Sequence, residues 1–240
     1  MTTATFSLPR GATNLHREKT VKMSADSTKG MEGVVPESLP KTPFAFLLVG
    51  PPGSGKSHLL MQLLTNKKLY GKKYEHVHWF SPSLGTLKVP LPKENLHDAL
   101  DFKAIDAVLK ELGKSKTERA LFVFDDMVVD IEKQLRPFLK MIYNRRHLGG
   151  RGISIIITTQ KLSKIPLALR AAMSSVFLWK TTNKKEIKST WEEFINIDVK
   201  DFERLLTYVW DAPHNFLMLR LDVDESKRYH KNFDAVRIDF

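Results

Sequence analysis

Eight consecutive residues, Gly50-Pro-Pro-Gly-Ser-Gly-Lys-Ser57, match the spacing G-x-x-x-x-G-K-[ST] without a mismatch. That pattern is suited to holding the phosphates of a nucleotide. Gly50, Gly53 and Gly55 reach backbone conformations closed to other residues, so successive N–H groups can turn inward around phosphate oxygens. Pro51, Pro52 and Ser54 complete the loop, and a helix starting at Lys56 adds the positive end of its dipole. Lys56 is then placed to neutralise the β- and γ-phosphates, Ser57 to hold Mg²⁺, and His58 to follow in the first helical turn. ATP and Mg²⁺ are the ligands this set implies.

Some seventy residues later, Ala120-Leu-Phe-Val-Phe-Asp-Asp126 reads as an apolar strand ending in two carboxylates. The carboxyl ends of parallel strands face the ligand crevice, which brings such acids beside the phosphates. Asp125 is expected to bind Mg²⁺, directly or through water, and Asp126 to polarise an attacking water. An Asp capping a following helix is the plainer alternative. A second apolar run, Gly152-Ile-Ser-Ile-Ile-Ile-Thr-Thr-Gln160, ends in an amide that could touch both the γ-phosphate and that water. Before it lies Asn144-Arg-Arg-His-Leu-Gly-Gly-Arg151, with three arginines within seven residues. Either Arg145 or Arg146 could reach across a subunit boundary as an arginine finger, and Arg170 is a second candidate.

These residues need a scaffold that presents strand ends side by side. Phe44-Ala-Phe-Leu-Leu-Val49 is an unbroken apolar run, the pattern of a strand buried on both faces. Strands are expected at 76–80, 120–125, 153–159, 175–179 and 215–221, with helices at 56–67, 98–112, 131–147, 184–195 and near 199–208. The alternation gives an α/β fold with a mainly parallel central sheet flanked by helices. Ser81 to Pro92 reads as a long loop, and His76, His78 and Trp79 as structural rather than metal-binding. Residues 1–40, rich in Ser and Thr, read as a flexible leader. Residues 41–240 form a single domain, with the motifs in 44–180 and a helical and strand extension over 181–240. There Trp191, Phe194, Phe202, Leu205, Leu206 and Trp210 are expected to pack helices on the sheet.

Composition narrows the class. With 240 residues and 42% apolar content, wholesale disorder is excluded. The longest apolar run has six residues, against the roughly 20 that a membrane-spanning helix requires. Met1 to Leu8 carries neither a basic nor an apolar signal region. The chain has no cysteine, so neither disulfides nor thiolate metal sites are available. The net charge of +11 is unevenly spread: residues 133–188 hold thirteen Lys and Arg against one acid, while 189–240 hold seven against eleven. Such concentration points to a polyanion partner. Lys161, Lys164, Lys180, Lys184, Lys185 and Lys188 are candidate contacts.

Taken in order, the phosphate loop, Leu121-Phe-Val-Phe-Asp-Asp126, Arg146-His147, Ile153-Ser-Ile-Ile-Ile-Thr-Thr-Gln160, Ile165-Pro and Leu169-Arg170 resemble the poxvirus-type genome-packaging ATPases of large DNA viruses, virophages and polinton-like elements. These belong to the FtsK/HerA superfamily of DNA-pumping P-loop ATPases. The resemblance implies a RecA-like core, ATP hydrolysis between the subunits of a homo-oligomeric ring, a hexamer or pentamer, and translocation of double-stranded DNA into a capsid. By position it gives Lys56 and Ser57 the phosphate and Mg²⁺ roles, Asp125 the metal role, Asp126 the catalytic acid role and Gln160 the sensor role. It further implies capsid or portal-vertex partners, and action in the host-cell cytoplasm, at virus factories, and in the virion. A small-molecule or nucleotide kinase is the competing reading; it predicts an Arg-rich lid, and the segment 81–97 has no arginine. Another FtsK/HerA-type DNA translocase remains open too, as does a non-catalytic ATP switch, against which the second acid argues.

Overall fold

The computed structural model describes residues Thr5–Phe6, Leu15–Arg17, 36–86 and 89–238. The expected leader falls largely outside the described residues. Within it, β1 (Thr5–Phe6) and β2 (Leu15–Arg17) pair antiparallel at one edge of the sheet. Near its end Leu39 is buried in the core, and the Tyr70 hydroxyl donates to the Pro40 carbonyl at 2.5 Å.

Six strands form the parallel part of the sheet: β3 (Ala45–Val49), β4 (His76–Phe80), β5 (Leu96–His97), β6 (Ala120–Asp125), β7 (Ile153–Thr159) and β8 (Ser175–Trp179). Their spatial order is β5-β4-β6-β7-β3-β8. Every residue of β3, β6, β7 and β8 is buried, as expected of strands covered on both faces. β7 lies between β3 and β6, pairing Val49 with Thr159 and Asp125 with Thr158. The strand carrying the phosphate loop and the strand carrying the acids are therefore held one strand apart, with their carboxyl ends level. Past β8 the direction reverses. Strands β9 (Phe216–Arg220), β10 (Tyr229–Lys231) and β11 (Asp234–Ile238) extend the sheet antiparallel, and β2 and β1 complete it.

The α/β class expected from the alternation of elements is the one observed. Helix α1 (Lys56–Thr65) covers one face of the sheet, burying Leu59, Leu60 and Leu63 against Phe46, Leu48, Val123 and Ile156. The other face is covered by α2 (Phe102–Leu112), α3 (Val128–Lys133), α4 (Leu135–Tyr143), the single turn α5 (Leu167–Arg170), α6 (Lys184–Phe194) and α7 (Val199–Val209). Phe194, Phe202, Leu205 and Leu206 are buried there, with Trp191 and Trp210 packed at the margin.

Two expectations need correction. One helix over 131–147 is instead two, divided at Gln134 (φ −120°, ψ 35°). Pro137 lacks the N–H that the Lys133 carbonyl requires, and its ring crowds that carbonyl; in the first turn of α4 the missing donor has no consequence. Helix α2 begins at Phe102 rather than 98, because the Asp101 carboxylate accepts from Lys103 N at 2.8 Å and caps it. Beyond the expected loop over 81–92 the chain returns to the sheet as β5, and Ser81 N donates to the His97 carbonyl at 2.9 Å.

Candidate active site

The phosphate loop leaves β3 with the Gly50 N–H donating to the Thr159 carbonyl of β7, 3.1 Å. A side chain at 50 would lie 2.8 Å from the Trp179 Cβ, so only glycine fits this approach. Gly53 (φ 72°) and Gly55 (φ 108°) take the left-handed turns that bend the loop. Gly55 is the cap of α1 and offers no side-chain acceptor, so the first N–H groups of that helix stay available to an anion. Lys56 Nζ donates to the carbonyls of Gly50 (2.6 Å) and Pro51 (3.0 Å), which holds the ammonium inside the loop's concave side. Burial lowers the lysine pKa, partly opposed by Asp126 and Asp125, so all three charges share one field. Ser57 is half-buried and His58 exposed beside them.

Asp125 ends β6 and is 8% exposed. Its Oδ1 accepts from the Thr158 hydroxyl at 2.6 Å, and that hydroxyl oxygen accepts from Asp126 N at 3.0 Å. Burial raises the Asp125 pKa; the Thr158 bond opposes the rise, and neighbouring Asp126 adds to it. A buried carboxylate, with a hydroxyl at Ser57 across the site, is a hard oxygen donor set of the kind that suits Mg²⁺.

Asp126 leaves the strand at φ 57°, a left-handed conformation that few residues other than Gly, Asn and Asp adopt. The turn swings its carboxylate out to solvent, where Oδ2 accepts from Gln160 Nε2 at 2.9 Å. The two side chains picked out separately in the sequence thus meet at adjacent strand ends. Asp126 does not cap α3, which starts after Met127 and has no side-chain cap, so the plainer alternative is not realised.

The arginines are placed elsewhere. Arg145 O accepts from Ile153 N at the start of β7, the edge of the sheet opposite Gln160. Seven residues of strand separate the two edges, about 20 Å at ~3.3 Å per residue. Arg145 is turned into the fold, donating to the Ile142 carbonyl and the Ser174 hydroxyl, and burial lowers its pKa. Arg146 is exposed. Arg170 is held by the Ile165 carbonyl and by Glu193 of α6, both at 2.6 Å, in an ion pair whose side chains are 13% and 17% exposed. That pair ties α5 to α6.

A cleft of about 330 Å³ opens beside the phosphate loop, between Pro51 to Ser54 and the segment after α7. His214 (φ 65°) reaches Ser54 O through Nδ1 at 3.1 Å, while its own carbonyl accepts from Trp179 Nε1. Trp210 Nε1 donates to the Leu178 carbonyl. These residues form the far wall of a space suited to a nucleobase and ribose. They carry no motif, and the Pro213-His214 turn after α7 is the sole sequence signal for them. His78 Nδ1 lies 3.2 Å from His97 Nε2, and His76 pairs with Glu118; among the described residues no group of three His, Cys, Asp or Glu is placed to hold a metal.

No protein-family model matches the chain, and no curated protein matches it in sequence. Solved structures do. The genome packaging NTPase B204 from Sulfolobus turreted icosahedral virus 2, in complex with sulfate, superposes with a TM-score of 0.58 at 16% identity, covering 84% of this chain and 98% of B204. Its complex with AMPPCP gives 0.58 at 15% identity over the same shares. The DNA-packaging ATPase B204 from Sulfolobus turreted icosahedral virus gives 0.53 at 14%, covering 83% and 98%. The resemblance drawn from the ordered motifs and the likeness drawn from the backbone point the same way: this chain has the fold of the viral genome-packaging P-loop NTPases.

Proposed function

We propose that this chain is an ATPase that couples ATP hydrolysis to movement of double-stranded DNA into a viral capsid, working as a homo-oligomeric ring. The Asp126–Gln160 contact beside the phosphate loop carries the reading. A nucleotide switch needs only the buried Asp125 side of the site. A hydrolase also benefits from a solvent-facing carboxylate that can accept a proton from water, held in place by a neighbouring amide. In this reading Gln160 orients that carboxylate and senses the γ-phosphate and the attacking water.

In this scheme the backbone N–H groups of 53–57 bind the phosphates, and Lys56 exchanges its two loop carbonyls for phosphate oxygens. Ser57 and Asp125 would hold Mg²⁺, which neutralises charge building on the β- and γ-oxygens. Asp126 takes the proton as water attacks the γ-phosphorus and the bond to the β-phosphate oxygen breaks. Arg146, exposed at the far edge of its own sheet, is better placed than Arg145 or Arg170 to act on a neighbouring subunit. Both others are committed to contacts within the fold.

The DNA half of the proposal is supported by the exposed lysines 161, 164, 180, 184, 185 and 188. Lys161 and Lys164 follow the sensor strand, Lys180 follows β8, and the other three lie on α6, so phosphate contact would fall at the same end of the sheet as the hydrolytic pair. Capsid or portal-vertex proteins as partners, and action in the host-cell cytoplasm and virion, belong to the same proposal. The kinase alternative has less support, since the segment that would have to act as a lid, 81–97, has no arginine and ends on the sheet edge as β5. The deciving measurement is ATP turnover with and without long double-stranded DNA. Phosphate released faster in the presence of DNA is expected; phosphate transferred to a small acceptor, with no response to DNA, would overturn the reading.

A further inference from the structure

Glu186 is the single acid among residues 133–188, against thirteen cations. It does not face them in solvent: at 7% exposure it is buried on the inner side of α6. The spacing Asn183-x-x-Glu186 is one in which the Glu ordinarily reaches back to cap its own helix. Here the Asn183 N–H is already taken by the Thr181 hydroxyl, and the Glu186 carboxylate crosses to another segment. Its Oε2 accepts from Leu162 N at 2.6 Å, and its Oε1 accepts from the Ser163 hydroxyl at 2.6 Å. Ser163 N points at both oxygens at 3.4 Å. Thr190 Oγ1 closes on the Glu186 carbonyl and fixes that turn of the helix.

The gripped residues begin two positions after Gln160. A short covalent and hydrogen-bonded path therefore runs from the Asp126 carboxylate through Gln160 to Leu162 and Ser163, and through Glu186 into α6. Exposed lysines flank both ends of the grip, Lys161 and Lys164 around the turn, Lys184 and Lys185 just before Glu186. Charge-assisted bonds in a buried setting are among the stronger and more directional contacts available.

We infer that Glu186 is a positioning residue that makes the turn after Gln160 and helix α6 move as one body. A polyanion seated on Lys161, Lys164, Lys184 and Lys185 thereby resets the Gln160–Asp126 pair. The inference rests on the ATPase reading above. Coupling of this kind is a free energy linking two sites through a shared element, and loosening that element weakens it without removing either site.

The test compares full-length wild type, Glu186→Gln and Ser163→Ala in steady-state ATP turnover, with and without long linear double-stranded DNA at low salt. Gln can still accept from Leu162 N, but its amide NH₂ meets the Ser163 N–H donor to donor. Ser163→Ala removes one bond at an exposed residue and serves where the first variant melts early. The expected result is a KM for ATP within about twofold of wild type, with the DNA stimulation factor reduced about fivefold or more in Glu186→Gln and by less in Ser163→Ala. A merely structural role would lower the melting temperature and leave the stimulation of the folded fraction intact. Stimulation equal to wild type in both variants would overturn the inference and leave the ATPase reading standing. Wild-type turnover indifferent to DNA would overturn the coupling and the motor together, and absence of turnover would overturn the ATPase reading itself.

Discussion

Asp126 sets two demands that different substitutions separate. Its backbone at φ 57° costs an ordinary L-residue about 1–2 kcal/mol, and Asp or Asn less. Its carboxylate accepts from Gln160 and is the proposed proton acceptor. Asp126→Asn keeps the tolerance for the left-handed turn and an oxygen for Gln160, so its stability should change by less than about 0.5 kcal/mol. An amide takes no proton from water, so kcat should fall by about 10²- to 10⁴-fold with nucleotide affinity kept. Asp126→Gly relieves strain of about 1 kcal/mol, loses one exposed hydrogen bond of about 0.5 kcal/mol, and frees the unfolded chain by about 0.5–1 kcal/mol. Those contributions nearly cancel, so the Gly variant should also melt close to wild type while failing to turn over. Asp126→Val has a β-branched side chain that the turn does not accommodate, which costs about 1–3 kcal/mol, or several degrees at about 2–4 °C per kcal/mol.

The assays are phosphate release at saturating ATP, calorimetric titration with a non-hydrolysable analogue, and a thermal melt. An Asn variant turning over within a few-fold of wild type would refute the proton-acceptor role. A Gly variant melting as low as the Val variant would refute the account of the backbone.

Lys56→Ala should abolish turnover and weaken nucleotide binding, read by the same titration, because it removes the only ammonium inside the loop among the described residues. Arg170→Ala should lower the melting temperature by the several degrees that about 2–3 kcal/mol corresponds to, since it leaves Glu193 uncompensated in a nearly buried pair. Arg146→Ala should leave the melt unchanged and cut turnover by about 10³-fold in the assembled protein; the opposite pattern would exchange the roles of the two arginines. The raised Asp125 pKa fixes a sign: the folded protein takes up that proton at a higher pH than the unfolded chain does, so as pH falls through the raised pKa this group ceases to oppose folding. Mg²⁺-dependent nucleotide affinity, which needs the carboxylate charged, should accordingly fade at a higher pH than an ordinary aspartate would give. Asp125→Asn should remove that step from the affinity profile and melt no lower than wild type in the absence of nucleotide.

The parts of this site legible in sequence are those where local chemistry leaves one solution. A glycine loop between an apolar strand and a helix, and carboxylates at the end of a fully apolar strand, announce themselves because strands buried on both faces hold ionised side chains only at their ends. Gln160 was legible for the same reason, yet its contact with Asp126 depends on β7 lying between β3 and β6, an order no local pattern encodes. The arginines illustrate the limit from the other side. Arg145, Arg146 and Arg170 look alike in sequence, and tertiary contacts alone distinguish one turned inward, one left in solvent and one locked to Glu193. The break at Gln134 could have been anticipated from Pro137, whereas β5 and β10, of two and three residues, are too short for their periodicity to stand out. Glu186 is the most instructive case. Its isolation among thirteen cations is countable in the sequence, where by itself it points only to a polyanion outside. The fold gives that isolation a second meaning: with so many exposed cations nearby, a carboxylate stays buried only if backbone donors hold it, and Leu162 and Ser163, next to the sensor, supply them. A charge imbalance that marks a binding surface can thus also mark, by its one exception, the contact that ties the surface to the chemistry.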